Sequence, residues 1–191
     1  MVRIASGCAV LMLATVLLVA GEYWVRSSVT VLASSFPVIT ASSLPRLEPD
    51  RPLKFATDNN FLALLDGWGR RELWGAWSDG YQATVGFRIG NTEALTSTSS
   101  LLLEVRPYLA PPVVMKQRVQ VSIESIPVGA FVFTEPVPMA KVKIPFEGAG
   151  LKPDDVVVLK FSFPDATSRR GEAISDNRTL AMGIGSIELA P

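Results

Sequence analysis

Between Asp66 and Arg88 the chain reads DGWGRRELWGAWSDGYQATVGFR, where Trp68, Trp74 and Trp77 fall within ten residues and alternate with Asp66, Glu72, Asp79 and Tyr81. Aromatic rings stack on the C–H faces of sugars, burying apolar area while neighbouring carboxylates and amides bond to the hydroxyls. These seven residues are therefore the candidate carbohydrate-binding set. The same aromatics at the edge of a β-sandwich also serve as core plugs whose indole N–H groups bond to turn carbonyls. Both readings stand at the level of the sequence, and Gly67, Gly69, Gly75 and Gly80 break the stretch into loops that can present a ring to solvent.

Other chemistry finds less support. The chain has no histidine, the usual general base of serine and cysteine hydrolases and the commonest zinc ligand. Its one cysteine, Cys8, permits neither an intramolecular disulfide nor a thiolate cluster. With 18 basic and 18 acidic residues the formal charge is zero, so no field draws the molecule to nucleic acid. Glu72 with Asp79, or Asp154 with Asp155, are the carboxylate pairs a hydrolase would need, yet reaction type depends on a separation that spacing does not supply. Asp154-Asp155 after Lys152-Pro153 reads more simply as a polar turn. Gly148 to Gly150 and Gly183 to Gly185 lack the strand-to-helix context of a phosphate loop. No catalytic residue, metal site or cofactor is assigned.

The elements that must position the aromatic stretch are strands. Gln82 to Ile89 alternates, with Ala83, Val85, Phe87 and Ile89 on one face and Gln82, Thr84, Gly86 and Arg88 on the other. Arg118 to Glu124 repeats the pattern. Leu101 to Arg106 and Val156 to Phe163 are more continuously apolar, which suits central strands covered on both sides or strands whose outer face meets a loop. Leu53 to Phe55, Phe61 to Leu65, Ala130 to Thr134, Lys141 to Ile144 and Ala181 to Leu189 bring the expected strands to about eight or nine, punctuated by Gly, Pro and Asn turns. No amphipathic helix of useful length follows residue 27. The expected fold is all-β, a two-sheet antiparallel sandwich of jelly-roll or galactose-binding type, with an immunoglobulin-like topology as its rival.

Ahead of this domain, residues 4–20 carry no charge, follow Arg3, and lead to Tyr23, Trp24 and Arg26. A helix from 4 to 24 approaches the roughly 30 Å of a bilayer core, with the aromatics at its far interface and the N-terminus inside. Residues 1–26 are thus expected to be a signal anchor, single-pass in a bacterial inner membrane with the C-terminal domain in the periplasm. Cleavage after Leu18-Val19-Ala20 would instead leave a periplasmic or secreted protein. Residues 27–52, with Pro37, Pro45, Pro49 and Pro52 and no sustained period, read as a tether, and 53–191 as the sandwich.

Gly67-Trp68, Glu72, Trp74-Gly75, Trp77-Ser78-Asp79-Gly80, Gln117 to Val121, Pro164 to Ser168, and Ser175-Asp176 through Arg178, Leu180, Gly183 and Ile187 carry a resemblance. Over residues 61–191 the chain resembles a C-terminal β-sandwich domain of bacterial membrane glycosyltransferase-like and phosphoglycerol-transferase-like proteins from surface-polysaccharide loci. The resemblance implies an accessory module beside a membrane glycosyltransferase and brings no active-site residues, because the transferase and sulfatase-like catalytic regions of those larger proteins have no counterpart here. The expected function is a non-catalytic, membrane-tethered, exported module that binds or organises cell-envelope polysaccharide. A protein–protein interaction module of an envelope complex is the alternative, and a carboxylate-dependent hydrolase a distant third.

Overall fold

The computed structural model describes residues 40–91, 99–146, 148, 150–168 and 177–190. The expected membrane segment with Cys8, residues 27–39 of the tether, and Arg169, Arg170, Glu172, Ser175 and Asp176 lie outside the described residues. Among the described residues no helix is long and apolar enough to cross a membrane. The compact unit described below spans Ala41–Pro191.

Its strands are β1 (Arg46–Leu47), β2 (Leu53–Lys54), β3 (Leu64–Asp66), β4 (Trp68–Arg71), β5 (Ala76–Ser78), β6 (Gln82–Ile89) and β7 (Ser100–Pro107). They continue as β8 (Gln117–Ile123), β9 (Ile126–Phe133), β10 (Ala140–Pro145), β11 (Val156–Ser162), β12 (Thr167–Ser168), β13 (Thr179–Leu180) and β14 (Met182–Ala190). The only helical turns among the described residues are 3-10, at Ala41–Ser43 and Asp58–Ala63. One sheet runs β1-β6-β11-β8-β9 with β3 also on β6; the other runs β10-β7-β14-β5-β4 with β2 also on β14. Taking the principal strands β5 to β11 and β14, every connection except the β8–β9 hairpin passes from one sheet to the other. That wrapping is the jelly roll, and it sets aside the immunoglobulin-like alternative, whose sheets group their strands differently.

The core forms where the inward positions of both sheets meet. Ala83, Val85, Phe87 and Ile89 of β6 are all buried, and they face Leu101, Leu103 and Val105 of β7 and Ile184 and Ile187 of β14 within one cluster. Phe55, Phe87, Phe161 and Phe163 are among its largest fully buried side chains, each worth about 1.5–3 kcal/mol of burial. The expected alternation of β6 holds except at Gly86, whose outward side is also covered because Leu65 lies against it. β7 and β11 are central strands, as their composition implies, yet their burial alternates: the outward positions of β7 and β11 stay partly or fully exposed.

Two segments fold differently from expectation. Phe61 opens no strand; the 3-10 turn Asp58–Ala63 buries Ala63 and leaves Phe61 exposed beneath the Arg71 guanidinium, 5.2 Å from its ring, before β3 begins at Leu64. Within the stretch read as tether, Leu44 and Leu47 are buried and β1 pairs parallel to β6, placing Arg46 opposite Arg88. Two guanidiniums side by side repel. Asp154 lies between them, accepting bonds from Arg46 Nε and Nη2 at 2.9 and 2.7 Å and from Arg88 Nη1 at 2.7 Å. The polar turn at Lys152 to Asp155 is closed by Asp155 Oδ2, which accepts the Lys152 N–H at 2.7 Å.

Candidate functional site

β4 and β5 make a hairpin on the edge of the second sheet, closed by Glu72 and Gly75, whose backbones exchange N–H···O bonds of 2.7 and 3.4 Å. Gly75 passes directly over the Ile184 carbonyl, leaving no room for a Cβ. This close approach lets Trp77 pair with Gly183 of β14 and sets both its ring and that of Trp74 on the outward face of the sheet. The two indoles meet edge to face, 5.3 Å apart at 78°. Trp74 Nε1 donates to Glu72 Oε2 at 2.8 Å. From β7, between buried Val105 and Pro107, Arg106 rises so that its guanidinium carbon lies 5.6 Å from the centre of each indole. Tyr108 completes the cluster, its ring set edge-on 6.2 Å from Trp77.

Glu72, Trp77, Arg106 and Tyr108 line a cleft of about 570 Å³, whose other wall is the Pro136 to Pro138 segment of the β9–β10 connection. Among the described residues its charged lining is Glu72, Arg106 and Arg178. Among the described residues the Arg106 guanidinium makes no hydrogen bond and has no carboxylate within 4.0 Å; it lies over the two indoles.

The seven sequence-derived candidates do not share one place. Glu72, Trp74 and Trp77 belong to the cleft, Trp74 backing Trp77. Trp68 packs edge-on against Phe161 of the core at 6.0 Å, and its Nε1 donates to the Thr84 carbonyl at 2.8 Å, the plug arrangement. Asp79 is a structural partner: Oδ1 accepts the Thr179 N–H at 3.1 Å, while its own N–H donates to the Gly67 carbonyl at 2.8 Å. Asp66 is exposed on β3 opposite Thr84, and Tyr81 is exposed just before β6; neither lines the cleft. Ser78 beside Asp79 is buried, and its Oγ accepts the N–H groups of Ala181 and Met182, both at 3.1 Å. The Trp-Ser-Asp-Gly run thus contributes one ring to the cleft and two side chains that hold the end of β5 to β13 and the start of β14.

Sequence reasoning missed Arg106, Tyr108 and Arg178. The available signal was Arg106 at an outward position of an otherwise apolar strand with an aromatic two residues on.

A second, larger hollow of about 780 Å³ lies on the outward face of the first sheet. Its side chains form cross-strand rows, Gln82–Ser162–Gln120 and Thr84–Lys160–Ser122. This is the wet face the alternation predicts, amide, hydroxyl and ammonium groups with no outward aromatic among them. Among the described residues paired carboxylates face neither hollow: Glu72 is the one carboxylate lining the cleft, and the other hollow has none. Among the described residues no group of three acidic or cysteine side chains is placed to hold a metal ion.

At the rim, Asp165 accepts three bonds from Arg118, from its N–H at 3.0 Å and from Nε and Nη2 at 2.7 Å. Those side-chain bonds hold the Asp165 carboxyl down to a pKa of about 2.

No protein-family model matches the chain, and no curated protein matches it. Among solved structures, it is similar to the CBM36-1 domain of a multidomain xylanase from the hindgut metagenome of Trinervitermes trinervoides, at 14% identity and a TM-score of 0.39, covering 61% of this chain and 77% of that one. It is also similar to the carbohydrate-binding module CBM36 in complex with calcium and xylotriose, at 17% identity and a TM-score of 0.36, covering 61% and 80%. A third is CBM51 from Clostridium perfringens GH95 in complex with methyl-galactose, at 15% identity and a TM-score of 0.32, covering 61% and 69%.

Proposed function

We propose that this protein is a non-catalytic carbohydrate-binding module, tethered to the membrane by residues 4–24, exported, and accessory to cell-envelope polysaccharide synthesis or modification beside a membrane glycosyltransferase. One observation carries the reading: Trp77, backed by Trp74, lines a cleft whose other groups are a carboxylate, two guanidiniums and a phenol. An indole offers apolar area for a sugar face, and Glu72 and Tyr108 offer acceptor and donor for its hydroxyls. Among the described residues Glu72 is the one lining carboxylate, whereas glycoside hydrolysis uses a pair.

The test is a glycan array probed with the full chain in detergent, followed by Trp77→Ala. The expected result is polysaccharide binding that the substitution abolishes while circular dichroism keeps its strand signal. An array with no bound glycan overturns the reading. Its rival, docking on a protein of an envelope complex, draws on Leu73, which stands fully exposed at the tip of the β4–β5 hairpin; Leu73→Asp abolishing co-purification of a membrane partner would favour it. Removing residues 1–24 is expected to strand the product in the cytoplasm, and a truncated protein still found outside contradicts the export reading.

A further inference from the structure

The cleft beside Trp77 contains a cation whose hydrogen-bonding capacity the described fold leaves unused. Arg106 carries five N–H donors in a planar fork. Its contact with Trp74 and Trp77 is through the ring faces and supplies no acceptor to those donors. Among the described residues no carbonyl, hydroxyl or carboxylate takes them up. The nearest acidic neighbours in the fold are engaged elsewhere. Glu104, one outward position earlier on β7, accepts the Ser186 hydroxyl at 2.9 Å and faces Lys141 at 3.8 Å. Glu72 Oε2 accepts the Trp74 indole at 2.8 Å. Arg106 is also held in place: its backbone lies in the central strand between two buried residues, and its head group is flanked by two indoles. A pre-positioned guanidinium spends little ordering entropy on binding and matches a planar acceptor in bidentate fashion.

Resting on the carbohydrate reading of this cleft, we infer that its ligand is an acidic sugar, whose carboxylate is taken by the fork of Arg106 while the ring lies beside Trp77 and a hydroxyl reaches Glu72. The lining charge argues for a carboxylate over a phosphate. The fork of Arg106 carries one positive charge, matched by a uronate monoanion, whereas a phosphate monoester near its dianionic form would exceed it. Nor would a neutral sugar compensate the guanidinium for the water it loses when the cleft closes over a ligand.

The experiment uses the full chain in detergent and calorimetric titration with oligomers of galacturonate, glucuronate and mannuronate. Each is compared with its methyl ester, the neutral oligosaccharide of the same linkage, and the matching sugar 6-phosphate. At least one uronate oligomer is expected to bind about tenfold to a hundredfold more tightly than its methyl ester, the scale of one charge-assisted hydrogen-bond pair. Arg106→Gln is expected to erase that ratio by weakening uronate binding far more than ester binding, and Arg106→Lys to restore part of it. Equal binding of acid and ester, equal losses for both on Arg106→Gln, or tighter binding of the phosphate each overturns the inference. In those cases ester or neutral-sugar binding that Trp77→Ala abolishes keeps the carbohydrate reading intact. No binding of any sugar removes both.

Discussion

The indole of Trp74 lies across Gly183, the residue of β14 that pairs with Trp77, so closely that a Cβ at Gly183 would collide with it. The strand that seats one tryptophan therefore owes its missing side chain to the other. Gly183→Ala is expected to push Trp74 off the sheet, destabilise the domain by about 1–3 kcal/mol through overpacking, and shift tryptophan emission to the red. Thermal melting with fluorescence detection checks both. An unchanged melt and spectrum would mean that the ring is free to move.

Ser78 is buried and serves two backbone donors, the N–H groups of Ala181 and Met182. Removing its hydroxyl leaves both without an acceptor, at a cost of about 1–3 kcal/mol for a buried unsatisfied group. Denaturant unfolding of Ser78→Ala should show that loss, and Ser78→Thr should recover less than half of it, because the added methyl group has no space in a fully enclosed site.

Gln117 presents the opposite case. It is completely buried at the start of β8, and among the described residues neither amide atom has a hydrogen-bond partner. An apolar side chain of similar volume removes the desolvation cost of two polar atoms, so Gln117→Met is expected to raise stability by about 1 kcal/mol. Gln117→Glu, which would bury a charge, should lower the melting temperature steeply at neutral pH. A melt for Gln117→Met below that of the parent protein would show that the amide is satisfied in solution.

Asp165 gives the protein an acid limb. Its carboxyl, ordinarily at 3.8, is held at about 2 chiefly by the Arg118 side-chain hydrogen bonds. A lowered folded-state value means that the unfolded chain takes up the proton first, so this stabilisation is complete above about pH 4 and is lost as pH falls toward 2. Arg118 is half exposed, and solvent screening keeps the contribution small. Asp165→Asn should flatten the stability profile between pH 4 and 2 relative to the parent chain, measured by urea unfolding across that window. Parallel profiles would show that the pair contributes nothing in solution.

How far each feature was legible follows from the range of the interaction that makes it. The two faces of Gln82 to Ile89 could be read directly, because alternation in a strand is a local rule and seven of its eight residues obey it. The exception, Gly86, is covered by Leu65 arriving from another strand, which no local pattern contains. Phe61 to Leu65 has the composition of a strand yet begins as a 3-10 turn, since burying Ala63 outweighs local preference. Arg46 and Leu47 sit in a proline-rich segment without period, and only the free edge of β6 makes them a strand.

Residue order along the chain was enough to establish that the body is built of strands, that apolar side chains must meet between two layers, and that aromatic and acidic residues crowd into one stretch. Tertiary structure alone decided the jelly-roll order, and it separated the seven candidates, sending Trp68 against the core and Asp79 to a backbone N–H while keeping Glu72, Trp74 and Trp77 together. It also supplied Arg106 and Tyr108 from a different strand. The physical reason is separation along the chain: a period of two is written in neighbouring residues, whereas Ser78 meets Met182 across 104 positions, and which distant strand closes on which is settled only when the whole core packs.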